Sequence, residues 1–127
     1  MRIVKRVDFV KLPPDTVFSE YAPCFFGPLM IKGETLPHGN DWYEQQIADA
    51  IESSGSEEWT NILFRAQETG ESFSMDFDCE GRNGLFEPDD RLYAVWEPED
   101  VRHLINRLSR CLQVPQRAAM KDDNEGL

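Results

Sequence analysis

Between Pro13 and Asp41 the chain is cut repeatedly by turn-forming residues, and what lies between the cuts is short and rich in β-branched and aromatic side chains. Pro13-Pro14-Asp15 ends the first segment. Thr16-Val17-Phe18-Ser19-Glu20-Tyr21 and Cys24-Phe25-Phe26 follow, then Leu29-Met30-Ile31-Lys32 after Gly27-Pro28, and Leu36-Pro37-His38-Gly39-Asn40-Asp41 reads as a loop. This pattern predicts two or three antiparallel strands joined by tight turns. Ahead of it, Ile3, Val4, Val7, Phe9, Val10 and Leu12 fit a short strand followed by one helical turn, which the prolines then stop.

Beyond the loop the signals turn helical. Asp41 followed by Glu44 resembles a capping box, and Tyr43, Ile47, Ala50 and Ile51 share one helical face, so residues 42–52 are predicted helical, with a strand as the alternative. Ser54 and Glu57 form an S-x-x-E box ahead of the apolar stripe Trp59, Ile62, Leu63 and Ala66, and Gly70 supplies a stop, which predicts a second helix. Phe73, Met75 and Phe77 then alternate with Ser74, Asp76 and Asp78, the pattern of a strand with one face in the core. Leu92-Tyr93-Ala94-Val95-Trp96 is its expected antiparallel partner, across a turn-rich acidic loop from Cys79 to Arg91. Pro98, Glu99 and Asp100 open a last helix whose expected buried face is Val101, Leu104, Ile105, Leu108 and Leu112. From Val114 to Leu127 no periodicity survives. The expected fold class is α+β: one domain over residues 1–113, with an antiparallel sheet of about four or five strands and two or three helices packed against it, then a flexible tail at 114–127.

A chain of 127 residues that is 40% hydrophobic has enough apolar material for one core without metal or disulfide support. Its three cysteines, Cys24, Cys79 and Cys111, are odd in number and form no CxxC pair, so they are expected to be free thiols, half or fully buried, in a reducing compartment. No apolar run approaches the roughly 20 residues needed to span a bilayer, and Met1 to Asp8 lacks the apolar stretch of a secretory signal. A cytoplasmic protein is expected. The net charge of −11 argues against binding nucleic acid through phosphates, a mode that needs clustered Lys and Arg. It favours instead a protein partner with a basic surface. Charge is also uneven: residues 1–12 carry Arg2, Lys5, Arg6 and Lys11 against Asp8, whereas residues 68–100 carry eleven carboxylates against Arg82 and Arg91, a net of −9.

One stretch matches a motif with chemistry behind it. From Asp76 to Glu87, acidic residues fall at positions 1, 3, 5 and 12 of a calcium loop with Gly81 at position 6. Against metal binding stand the strand expected before it, Glu80 in place of a shorter ligand, and the lack of a helix directly after Glu87. Asp76 and Asp78 also form a carboxylate pair, but such pairs are frequent in a chain with 24 acidic residues. His38 and His103 have no Cys, His or nucleophile at ligand or triad spacing, Cys24 sits among apolar residues that raise a thiol's pKa, and no glycine-rich phosphate loop occurs. No catalytic residues, metal site or cofactor are therefore assigned, and the chain is not expected to be an enzyme. The candidate partner-binding residues are the aromatic pair Trp42 and Tyr43, with Phe25-Phe26 nearby in sequence, and the loop carboxylates Glu87, Asp89 and Asp90.

The run Arg6-Val7-Asp8-Phe9-Val10-Lys11-Leu12-Pro13, the stretch from Gly27 to Gly33, and the series Asp76-Phe77-Asp78, Gly84-Leu85-Phe86 and Tyr93-Ala94-Val95-Trp96-Glu97-Pro98-Glu99-Asp100-Val101 resemble small uncharacterised acidic proteins of tailed-phage and prophage genomes, over residues 1–112. The resemblance implies a context rather than an activity: a small protein in the host bacterial cytoplasm that binds a host or phage protein. The first functional expectation is thus a non-enzymatic binding module, inhibition of a nucleic-acid-binding or defence protein being one form of it. The alternatives are a self-associating assembly protein and, behind it, a metal-binding protein using the 76–87 loop.

Overall fold

The computed structural model describes residues 1–82 and 87–113. Among these residues the chain forms seven strands and three helices, an α+β fold. In order they are β1 (Arg2–Lys5), α1 (Arg6–Phe9), β2 (Thr16–Ala22), β3 (Phe25–Phe26), β4 (Met30–Thr35), β5 (Trp42–Gln46), α2 (Ser56–Thr69), β6 (Gly81–Arg82), β7 (Leu92–Val95) and α3 (Pro98–Gln113). The chain divides into two compact units, one spanning Arg2–Val95 and the other made of Met1 with the described residues from Trp96 to Gln113.

The first unit holds the whole sheet. Its strand order is β1-β7-β2-β4-β5-β6, with β3 beside β2, and every pairing is antiparallel. The turn signals of the first third act as expected: β2, β3 and β4 are joined by short turns, and between β2 and β3 the turn is Pro23-Cys24, with Cys24 at φ 64°. The strand and single helical turn expected in residues 3–12 are β1 and α1.

That single turn places the centre of the core. Phe9 stacks on Tyr93 at 4.2 Å between ring centroids and meets Phe18 at 4.6 Å and Trp42 at 5.0 Å edge-on. Met30 and Val95 complete the buried set, and Val4, Val10 and Leu12 pack against it. The register explains the grouping. Phe18 lies opposite both Val95 of β7 and Met30 of β4, so one face of three adjacent strands converges on Phe9.

Several expectations are corrected. Residues 42–46 are strand, not helix: Trp42 and Glu44 point inward and alternate with half-buried Tyr43 and Gln45. The apparent helical face depended on Ile47, Ala50 and Ile51, which lie beyond the strand. Residues 73–77 form no strand; Met75 alone makes a bridge, to Ile51, and Phe73 and Phe77 are exposed. The strand at 92–95 pairs instead with β1 and β2. In α2 the first turn is not closed by an S-x-x-E box: Glu58 accepts the Ser54 N–H, and Gly55 is the N-cap. Gly70 does end this helix, in the left-handed conformation at φ 76° that a side chain would disfavour. Helix α2 has no buried residue.

In the second unit, Asp100 accepts the Glu97 N–H at 2.8 Å and so caps α3. Its apolar stripe is only partly covered. Val101 and Leu104 are half-buried, but Ile105, Leu108 and Leu112 are 56%, 55% and 79% exposed, against the expected buried face. All three cysteines are exposed, contrary to expectation, because each lies in a turn, a loop or the open end of α3. The expected tail at 114–127 and residues 83–86 of the acidic loop expected from Cys79 to Arg91 lie outside the described residues.

Candidate functional site

The inward face of the sheet carries charge as well as aromatics, and that charge lines one flank of the core. Glu20 follows Phe18 by two residues on β2 and lies opposite Tyr93. Its carboxyl shares the Arg91 guanidinium with the carboxylate of Glu87, which has only 9% of its side chain exposed. Arg91 serves both acids: its Nε lies 3.1 Å from Glu87 Oε1 and 3.9 Å from Glu20 Oε1. Glu44 of β5 is buried and accepts the Trp42 indole N–H at 2.9 Å. Arg6 of α1 donates to the Glu87 carbonyl at 3.2 Å and the Asn40 carbonyl at 2.7 Å while its guanidinium lies 5.0 Å from the Trp42 ring centroid. Burial, then the hydrogen bond and the negative charge of Glu87, push the Glu20 carboxyl up to about 7. Burial likewise pushes the Tyr93 phenol up, and among the described residues its Oη has no hydrogen-bond partner.

A second charged group fixes the segment after α1. Lys32 of β4 is fully buried, and its Nζ donates to Leu12 O at 2.8 Å, Gly33 O at 3.0 Å and Thr35 Oγ1 at 2.8 Å. Thr35 in turn donates to Val10 O at 2.7 Å. Burial lowers the ammonium's pKa, while three oxygen acceptors hold it in place. Both networks are positioning devices: one pins the residues carrying Phe9 to the sheet, the other ties the segment before β7 to β2.

The predicted site residues part company in the structure. Trp42 is a core residue with no exposed surface, so it is not a surface anchor. Tyr43 is half-buried on the opposite face of β5, and Glu87 is turned into the carboxyl cluster. Asp89 and Asp90 are exposed on a turn closed by the Arg91 N–H to Pro88 O hydrogen bond at 3.1 Å. Asp89 also lines a surface cavity of 290 Å³ with Arg6, Val7, Val10, Gly39 and Asn40. Exposed aromatics occur elsewhere: Phe25 and Phe26 of β3 are 66% and 54% exposed beside the Pro23-Cys24 turn, with the Tyr21 ring 5.3 Å from that of Phe26.

In the 76–82 segment the backbone is held by the sheet. Asp76 N–H reaches Ala50 O at 2.8 Å, Gln45 Nε2 donates to Phe77 O at 2.6 Å, and the Asp76 carboxylate accepts the Asp78 N–H at 2.9 Å. Glu80 lies over Gly33, where a Cβ would come within 2.5 Å of its carboxylate. Among the described residues no group of three or more His, Cys, Asp or Glu is placed to hold a metal, and no helix is long and apolar enough to cross a membrane.

No protein-family model, curated protein or solved structure matches this chain. Sequence reasoning singled out neither Arg6, Glu20, Lys32 nor Arg91. The available signal was Glu20 itself, a charge at an inward position of an otherwise apolar and β-branched run.

Proposed function

We propose that this chain is a non-catalytic binding module that docks on a protein with a basic surface, in the cytoplasmic setting of a phage or prophage product. One observation carries the reading. Among the described residues, twelve large hydrophobic side chains are exposed on a chain of net charge −11. Exposed apolar groups within a strongly acidic surface suit an interface that is steered by charge and anchored by burial. The β2–β3 turn with Phe25 and Phe26 supplies anchors, and Asp89 and Asp90 supply steering charge.

The test is affinity purification from the natural host cell with wild type and with a Phe25→Ser, Phe26→Ser double variant. Both side chains are mostly in solvent, so the variant should fold normally by circular dichroism. A partner retained by wild type should be lost with the variant. Equal retention by both proteins would remove the turn from the interface.

A further inference from the structure

We propose that Glu20 and Glu87 form a proton-operated latch that holds the 88–91 turn against β2 and loosens it when the shared proton leaves. The geometry sets this up from two sides of the chain. Glu20 is fixed by the pairing of β2 with β7, whereas Glu87 and Arg91 bracket the turn that carries Asp89 and Asp90. The carboxyls of Glu20 and Glu87 are 24% and 9% exposed and share one guanidinium. With the proton present, the Glu20 hydroxyl donates to the Glu87 carboxylate, and Arg91 balances the single remaining charge.

With the proton gone, every group facing the pair has to be counted. Arg91 offers one positive charge from the turn itself, and Glu44 adds a third carboxylate from β5. Tyr93 on β7 remains a neutral phenol. Arg6 on α1 is directed to the carbonyls of Glu87 and Asn40. Two carboxylates then share one guanidinium, with the negative charge of Glu44 acting on Glu20 from β5, and Glu87 is the member carried by a turn instead of a strand. Repulsion is relieved most easily by movement of that turn. The burial and charge that push the Glu20 carboxyl up to about 7 place the change near neutrality. Any effect on how Asp89 and Asp90 meet a partner rests on the binding role proposed above; the latch itself does not.

The experiment uses the full chain without a partner, so its failure is separate from a failure of that role. Carboxyl carbon shifts of Glu20 would be followed by NMR across the neutral range, together with the hydrogen-exchange protection factor of the Arg91 amide, which bonds to Pro88 O. The expected result is a Glu20 midpoint near 7 and an Arg91 protection factor that falls on the order of tenfold between about pH 6 and about pH 8. In Glu20→Gln, which cannot ionise, protection should stay at its low-pH level. In Glu87→Gln, the Glu20 midpoint should move down. A wild-type midpoint in the ordinary carboxylate range, flat protection in wild type, or the same fall in Glu20→Gln would each overturn the latch.

Discussion

Lys32 illustrates how one charged residue is accommodated with no exposed surface: each of its three hydrogen bonds goes to an oxygen acceptor, so the buried ammonium has all its donors engaged. Lys32→Met keeps the length of the side chain and removes the donors, leaving Leu12 O, Gly33 O and Thr35 Oγ1 to be satisfied some other way. The expected loss of stability is about 1–3 kcal/mol, measured by urea unfolding. Glu20 makes the opposite kind of prediction, one set by pH. Its folded value of about 7 lies above the ordinary 4.5. Between those values the folded protein keeps a proton that the unfolded chain has released, so the stability it contributes is full below about 4.5 and is lost as pH rises through about 7. The thermal midpoint of wild type should therefore drop across that window relative to Glu20→Gln. Parallel pH curves for the two proteins would show that Glu20 titrates at its ordinary value.

At the scale of elements, the smallest helix has the largest consequence. Helix α1 is four residues long, yet its last residue, Phe9, touches three aromatic rings drawn from β2, β5 and β7. Phe9→Ala should cost about 3–5 kcal/mol, since a ring at the meeting point of three strands leaves a void that no single neighbour can fill. A calorimetric midpoint close to wild type would contradict this. The elements legible in the sequence were those written by local chemistry: the turns around β2, β3 and β4, the single helical turn after β1, Gly70 ending α2, and the acidic start of α3. Strand β5 was hidden because one of its two inward residues is Glu44, paired with the Trp42 indole, so the expected alternation of apolar and polar side chains was broken by a buried charge. The reverse error occurred at Phe73, Met75 and Phe77, where clean alternation is present but two of the three side chains face water. The carboxyl cluster was illegible for a different reason. Glu20 and Glu87 are brought together only by the placement of β7 beside β2, and no local pattern specifies which distant strands pair.

For the molecule as a whole, charge and exposed apolar surface have to be tested together. Reversing the turn carboxylates with Asp89→Lys and Asp90→Lys should slow association with a basic partner at low salt and leave the melting temperature within about 2 °C of wild type, because both side chains are exposed. The difference in rate should shrink as salt is added. Equal rates at low ionic strength would move the steering charge to another part of the surface.

The strand order has a consequence in time as well as in space. Strands β2 to β5 can begin pairing as soon as residues 16–46 have left the ribosome, but β7 inserts between β1 and β2 and is made last of the sheet. Until residues 92–95 emerge, β1 has no neighbour, the edge of β2 is open, and Phe9 lacks the ring on which it stacks. The growing chain thus passes through a long interval with an unfilled slot in its sheet, and closing that slot requires residues 92–95 to pair with residues 2–5 and 18–21, a step that is slow by topology and exposed to intermolecular strand exchange while it waits.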